Sequence, residues 1–185
     1  MSGRYVRPFE DCDAEAVMRL DASFRTQRVF QVHRTGEIIS LSSVPIDNPI
    51  EKCFPLQLDQ DPWQCGWVAV ENKSVVGFIA TALHEWNRRL IIWHFYVERS
   101  CRKRGFGRLL LEHATDSGVD AGAITAWAET SNLNYPGVQP YRRLGFTIVG
   151  FDLTLYRGTP SRDEFAVFLG RPIGADQRAA GAEPF

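Results

Sequence analysis

Five basic residues surround two glycines near the middle of the chain. Residues 97–112 read VERSCRKRGFGRLLLE, and the apolar residues after Gly105 and Gly107 have helical spacing. The basic residues of this segment are Arg99, Arg102, Lys103, Arg104 and Arg108. A helix N-terminus carries unbonded amides and a partial positive charge, and glycine lets the backbone come close to a ligand. The segment therefore predicts a diphosphate site made by main-chain amides.

Two known phosphate-binding motifs and a solvated basic turn are the other interpretations of this segment. The P-loop pattern G-x-x-x-x-G-K-[ST] does not occur in the chain. The dinucleotide pattern G-x-G-x-x-G fails, because Leu110 stands where its third glycine belongs and several strands precede it. A solvated basic turn that precedes a helix also fits these residues, and the segment alone does not separate it from a phosphate site.

The elements around this segment form an alternating series. Residues 67–83 read as two β-branched runs that meet at Asn72-Lys73, which predicts a hairpin. Strands are predicted over 88–97, 123–130, 147–158 and 164–170, with a helix over 107–122 and another that starts near Pro136. The order is an antiparallel meander followed by β-α-β, α and β. It predicts an α/β protein of the α+β type with one mixed sheet.

The N-terminal part is less regular. RYVRPF predicts a strand, and Asp11 and Asp13 are placed to start a helix over the next residues. Residues 41–66 contain Pro45, Pro49, Pro55 and Pro62, which predicts an irregular segment. So long a loop within a single domain is more often functional than not, which predicts a substrate-side segment.

The bulk composition limits the class of protein. The 185 residues are 44% hydrophobic and carry a net charge of −1, so we expect neither a nucleic-acid nor a membrane partner. One domain is predicted over residues 1–173, with a disordered tail over 174–185. No signal peptide or spanning stretch is visible, which predicts a cytoplasmic protein. The four cysteines lie far apart without C-x-x-C spacing, so we predict neither a disulfide nor a metal site.

Two motifs together resemble the GCN5-related N-acetyltransferases (GNAT). The pattern R-x-x-G-x-G at residues 102–107 follows a strand that ends at Val97, as in the acyl-CoA loop of that family. Asn134 is followed seven residues later by Tyr141 and then by Leu144-Gly145-Phe146, the order of the family's closing segment. The resemblance covers residues 67–157. It implies acetyl-CoA as co-substrate and a central, mostly antiparallel twisted sheet with a splayed parallel strand pair and flanking helices.

The resemblance also implies positions for the cofactor. Its pantetheine arm would lie between strands 90–97 and 123–129 and pair with the backbone around Phe95, Val97 and Arg99. An amide near Val97 would serve as the oxyanion donor. Asn134 would contact the cofactor from the end of the opposite strand. The pyrophosphate would rest on amides of the loop and helix start, namely Arg102, Lys103, Arg104, Gly105, Phe106, Gly107 and Arg108.

The catalytic residues follow from the same resemblance. Tyr141 would protonate the departing thiolate. Glu129, at the end of strand 123–129, would accept the proton of the amine; alternatively it orients the substrate ammonium or caps the turn at Ser131. His94 is another candidate base, because a free imidazole titrates near neutrality. Side chains alternate along a strand, however, which favours a core position for His94 if Trp93 faces the cofactor.

The C-terminal part resembles streptothricin acetyltransferases. The matching residues are Gly150-Phe151-Asp152, Tyr156-Arg157-Gly158 and Asp163-Glu164. This predicts acetyl transfer from CoA to a primary amine of a small, cationic molecule such as a streptothricin-like antibiotic. The alternatives are a protein or peptide amine as acceptor, and a non-catalytic acyl-CoA sensor. The oligomeric state stays open, with a homodimer among the options.

Overall fold

The computed structural model describes residues 3–54, 56, 58–59 and 61–174. Pro55 and, apart from Gly174, the predicted tail lie outside the described residues. The helices are α1 (Ala14–Met18), α2 (Phe106–Asp120) and α3 (Tyr135–Arg143). The strands are β1 (Arg4–Pro8), β2 (Phe24–Thr35), β3 (Ile38–Lys52), β4 (Cys65–Glu71), β5 (Ser74–His84), β6 (Arg89–Val97), β7 (Thr125–Ser131), β8 (Thr147–Asp152) and β9 (Ala166–Pro172).

Seven of these strands form one mixed sheet in the order β1-β4-β5-β6-β7-β9-β8. The neighbours β1/β4, β4/β5 and β5/β6 are antiparallel, whereas β6 and β7 are parallel. Parallel neighbours need a crossover connection, usually a helix, and α2 provides it here. The predicted mixed, mostly antiparallel sheet with one parallel pair is confirmed. Within the described part of the chain, none of the helices has the length and apolar composition of a transmembrane segment.

The chain divides into two compact units, of which the first holds β1, β4, β5, β6 and the start of β7, together with α1 and α2. Its core contains Val17 of α1 and Val68 and Phe78 of the sheet, all fully buried. Leu110 of α2 is also fully buried, and its Cδ1 lies only 2.9 Å from where a Cβ on Gly77 would stand. The glycine in β5 therefore lets α2 pack closely on the sheet.

The hairpin predicted at Asn72-Lys73 connects β4 and β5. Both residues have positive φ, 50° and 68°, as a two-residue turn between twisted antiparallel strands requires. Asparagine adopts this conformation more readily than most residues, which explains the turn's position.

The second unit holds the β2–β3 hairpin, α3, β8, the end of β7 and the start of β9. Val138 of α3 is fully buried, and the Phe30 ring of β2 packs on the Tyr135 ring at 5.5 Å between centroids. The β2–β3 hairpin was absent from the sequence-based prediction. Its turn includes Gly36 at φ 63°.

The prediction that residues 41–66 are irregular is wrong for their first part, because β3 runs through both Pro45 and Pro49. A two-stranded sheet has only edge strands, so a proline nitrogen can face away from the partner. Pro45 pairs with Arg28, and the register shifts between Thr26 and Arg28, opposite the stretch that holds Pro49. The prolines occupy the positions that a strand tolerates. The strand predicted over 147–158 likewise ends at Asp152, where the carboxylate accepts the Thr154 amide at 2.7 Å and starts a turn.

Candidate active site

The loop before α2 has the backbone that the sequence predicted. Gly105 is the N-cap of α2 at φ 93°, and Lys103 is also in the left-handed region at φ 62°. Leu109 donates its amide to the Gly105 carbonyl at 3.1 Å, which makes this the first helical hydrogen bond. The amides of the first turn before it are those that a helix leaves for a ligand. A Cβ on Gly105 would meet no atom within 4 Å, so space lies beside these amides.

Two of the predicted basic side chains are used to hold the loop itself. Arg102 donates from Nε to the Val97 carbonyl at 2.9 Å and from Nη2 to the Asp21 carbonyl at 2.6 Å. Arg104 forms an ion pair with Glu71 at 2.6 Å. These contacts fix the loop against the end of β6 and against β4. Their side chains thus contribute structure, and any role in phosphate binding falls to their backbone.

The other basic side chains point to solvent. Arg99, Lys103 and Arg108 are exposed, and Arg108 lies 3.2 Å from Glu112 one turn along α2. An exposed pair of this kind contributes little to stability. Phe106 is buried beneath Arg4 and Arg104, so only its amide is placed for a ligand. Exposed positive charge and helix amides are thus combined at one helix end.

The second half of β6 has a distinctive edge. Its parallel pairing with β7 covers Arg89–Ile92 and goes no further, whereas pairing with β5 continues to Val97. Glu98 donates its amide to the Val76 carbonyl on β5 at 2.9 Å. Amides alternate between the two edges of a strand, so those of Phe95 and Val97 point away from β5. This edge has the donors that an extended ligand could pair with.

A β-bulge at Trp93 marks the start of that edge. Ala80 pairs with His94 but Thr81 pairs with Ile92, which leaves Trp93 as the extra residue. The indole Nε1 of Trp93 is buried and has no hydrogen-bond partner among the described residues. Buried donors are normally paired, so this one needs an explanation. The glycine loop and the open edge of β6 fit an extended, phosphate-bearing ligand on the first unit.

Gly107, in the first turn of α2, lies against β6. Its Cβ would stand 3.4 Å from the Phe95 ring and 3.7 Å from Val97 Cγ2. The side chains of Phe95 and Val97 therefore face the start of α2. A glycine at this position keeps the helix start close to the strand whose amides face outward.

His94 belongs to the opposite side of β6. It is 4% exposed, stacks near Phe78 and Tyr96, and its Nε2 lies 3.2 Å from Asp61 Oδ2 without hydrogen-bond geometry. Burial lowers the pKa of His94, and the nearby Asp61 carboxylate opposes that shift only in part. The predicted core position of His94 is confirmed.

In the second unit, Asn134 begins α3. Its Oδ1 accepts the Gly137 amide at 3.0 Å, and its Nδ2 donates to Thr130 Oγ1 at 2.9 Å. A Cβ on Gly137 would stand 2.3 Å from Asn134 Nδ2, so a larger residue there would displace the capping side chain. Tyr141 lies on the same helix, half-buried, with its ring 5.1 Å from that of Phe146. The cap thus fixes the helix that carries Tyr141.

Glu129 lies inside β7 and not at its end, because the strand continues to Ser131. The Glu129 carboxylate is exposed and accepts a hydrogen bond from the hydroxyl of Tyr156. Burial raises the pKa of Tyr156, and the negative charge of Glu129 raises it further. The phenol therefore keeps its proton and acts as a donor.

A second carboxylate close by, Glu164, is differently placed. It forms an ion pair with Lys52 and accepts a hydrogen bond from Ser131 Oγ. Only 19% of the Lys52 side chain and 13% of the Glu164 side chain are exposed. A lysine thus pairs with Glu164, whereas Glu129 accepts a hydrogen bond from a phenol.

These contacts include residues to which the sequence assigned no role. Tyr156 and Glu164 were matched as parts of motifs, Ser131 was named only as the place of a turn, and Lys52 was not singled out. No spacing signal could have found them, since Lys52 and Glu164 are 112 residues apart. The hydrogen bonds are long-range and depend on the fold.

Three comparisons place this geometry among known proteins. The family model described as "Acetyltransferase (GNAT) family" matches residues 15–146. The chain is 38% identical over 170 residues to streptothricin acetyltransferase from Streptomyces lavendulae, which covers 86% of this chain and 90% of that one.

Solved structures agree with the sequence match. The crystal structure of nourseothricin acetyltransferase has a TM-score of 0.84 at 38% identity and covers 92% of this chain and 99% of that one. A structure from Bacillus anthracis str. Ames, in complex with acetyl coenzyme A, has a TM-score of 0.78 at 23% identity and covers 92% of this chain and all of that one. At that identity it supports the fold alone. The predicted resemblance is confirmed, and the chain belongs to the acetyltransferase (GNAT) family of N-acetyltransferases.

Proposed function

We propose that this protein transfers the acetyl group of acetyl-CoA to a primary amine of a streptothricin-like antibiotic. The observation that carries the proposal is the 38% identity to streptothricin acetyltransferase, which extends over 86% of the chain. That length includes residues of both compact units. A match confined to the cofactor loop would say nothing about the acceptor.

The cofactor side of the proposal rests on the first unit. The amides from Arg102 to Arg108 would hold the pyrophosphate, with Gly105 giving the phosphate room to approach. The Phe95 amide on the open edge of β6 would pair with the pantetheine arm, and the Val97 amide is kept for the thioester carbonyl. Asn134 is proposed as a further contact, because its Oδ1 has a second lone pair beyond the one that Gly137 uses.

The chemistry requires three aids that protein groups supply. An amine with a pKa of about 10 is mostly protonated at neutral pH and cannot attack a thioester until it loses that proton. We assign the proton acceptor to Glu129. The Val97 amide would donate to the carbonyl oxygen on which negative charge develops, and the Tyr141 hydroxyl would give its proton to the departing sulfur.

The exposed carboxylate of Glu129 suits a cationic acceptor. It would attract the ammonium group before it accepts the proton, so two of the three roles considered for Glu129, orientation of the ammonium and acceptance of its proton, would be successive steps. The finer sequence predictions, a cytoplasmic location and a homodimer, stay predictions.

The test is an acetylation assay with a panel of acceptors. Purified protein is incubated with acetyl-CoA and with streptothricin, free lysine or a peptide that starts with alanine, and free thiol is measured. We expect thiol release with streptothricin and one added acetyl group by mass spectrometry. Transfer only to the peptide would overturn the acceptor. CoA binding without transfer to any amine would overturn the enzymatic proposal in favour of a sensor.

The variant Glu129→Gln tests the proton acceptor in the same assay. This variant keeps the size of the side chain but removes the proton acceptor. We expect it to bind CoA as the wild type does, since Glu129 is not among the proposed cofactor contacts, and to lose about 100-fold or more in turnover.

A further inference from the structure

The segment between β8 and β9 brings a tyrosine to the candidate base. Tyr156 is half-buried and donates its hydroxyl proton to the Glu129 carboxylate. The two residues are 27 positions apart in the sequence, so the contact depends on how the segment is held.

Hydrogen bonds fix this segment towards its C-terminal end and next to Tyr156. The Asn132 amide donates to the Phe165 carbonyl at 2.9 Å, and the Phe165 amide donates to Asn132 Oδ1 at 3.1 Å. Lys52 of β3 donates to Ser161 Oγ at 3.0 Å. Thr159 donates its amide to the Tyr156 carbonyl at 2.9 Å, which closes a turn directly after the tyrosine. Tyr156 is therefore presented by an ordered segment.

Two other charged groups, Glu164 and Lys52, lie near this contact. Glu164 also faces Tyr156, and it is bound by Lys52 and Ser131. Burial together with both carboxylates raises the pKa of Tyr156, so its hydroxyl remains a donor over the whole working range of pH.

We propose that Tyr156 is a positioning residue for acetyl transfer, whose hydroxyl holds the Glu129 carboxylate in the orientation and charge state that accept the proton of the amine. The inference rests on the proposed function, in which Glu129 is the base. A carboxylate on an exposed strand position has several rotamers, and one donated hydrogen bond selects among them. The same bond favours the ionised form of the carboxylate over the protonated form.

The loss of this bond has a predictable sign. In Tyr156→Phe the ionised carboxylate loses a donor, so protonation of Glu129 becomes easier. Glu129 then stays protonated, and so inactive as a base, up to a higher pH than in the wild type. The acid limb of the pH–rate profile therefore moves to higher pH by about one unit. The acceptor amine titrates identically with both proteins, so the difference between the two profiles comes from the protein. A merely structural defect would instead lower the rate by one factor at every pH.

The experiment measures kcat against pH for the wild type, Tyr156→Phe and Tyr5→Phe, with streptothricin as acceptor. Tyr5 is 49% exposed on β1 and makes Tyr5→Phe a matched control that should keep the wild-type profile. Thermal unfolding checks that each variant is folded. A shift of the acid limb to higher pH in Tyr156→Phe, but not in Tyr5→Phe, supports the inference. An unshifted profile of Tyr156→Phe overturns it.

A double variant separates this inference from the proposed function. If Tyr156 acts through Glu129, adding Tyr156→Phe to Glu129→Gln should lower turnover by less than 2-fold, because interacting residues are not additive. A full additional loss would overturn the positioning role. If the wild type transfers no acetyl group to any acceptor, the proposed function is refuted. If the wild type is active but the profile of Tyr156→Phe is not shifted, only the role of Tyr156 is refuted.

Discussion

The glycine at the start of α2 allows a controlled test of the cofactor site. Gly105 stands at φ 93° before α2, and Gly122 stands at φ 96° after it. A Cβ at either position would meet no protein atom within 4 Å. Alanine at the two ends of one helix thus introduces the same backbone strain, but only one end is proposed to bind CoA.

The magnitudes follow from that symmetry. A left-handed conformation costs an L-residue about 1–2 kcal/mol, so each variant should lose about that much free energy of unfolding. For a protein of this size the Tm should fall by about 2–8 °C in both. In Gly105→Ala the new methyl group also holds a phosphate away from the amides. A lost hydrogen bond to a charged group is worth about 1.5–3 kcal/mol, so Kd for CoA should rise about 10- to 150-fold.

Isothermal titration calorimetry with CoA and thermal unfolding measure the two effects separately. We expect both variants to be destabilised alike and only Gly105→Ala to bind CoA weakly. If Gly105→Ala and Gly122→Ala bind CoA with the same affinity, the diphosphate does not rest on this helix start. The cofactor assignments from Arg102 to Arg108 would then be wrong.

Three further predictions test other parts of the molecule. Tyr141→Phe should lower turnover about 10- to 1000-fold in the thiol-release assay with an unchanged Kd for CoA, since it removes only the proton for the thiolate; unchanged turnover would remove Tyr141 from the mechanism. Gly77→Ala should lose about 1–3 kcal/mol in urea unfolding, because its Cβ would stand 2.9 Å from Leu110 Cδ1 and 3.0 Å from a β6 carbonyl oxygen. A free energy of unfolding equal to that of the wild type would contradict this prediction and would mean that α2 moves aside. The hydrogen bond from Arg7 lowers the pKa of Asp13, so this pair stabilises the fold above about pH 4 and loses its effect as pH falls through the lowered pKa. The stability difference between wild type and Asp13→Asn should therefore shrink towards acid pH, and a pH-independent difference would contradict it.

The parts of the fold that local rules control could be predicted from the sequence. The turn at Asn72-Lys73 and the start of α2 after Gly105 depend on residues next to each other, and both are where the sequence placed them. The alternation of β6 likewise separated His94 from the face of Phe95. In these places the backbone conformation follows from residue type.

The parts that depend on pairing partners could not be predicted. Prolines argued against a strand over residues 41–52, but their effect depends on whether a neighbour needs the missing amide, which the sequence does not state. Gly36 between two β-branched runs was the available signal for the hairpin. The contact of Tyr156 with Glu129 was equally hidden, since it joins segments that only the fold brings together.

The prolines of β3 have a consequence for how the protein behaves in concentrated solution. β3 is a 15-residue strand in a sheet of only two, and the exposed Ile38 and Ile39 stand at its beginning. A long edge of this kind invites strands of other molecules to add to it and to aggregate. Pro45 and Pro49 interrupt the row of donors that such an addition needs, so they disfavour self-association along the outer side of β3.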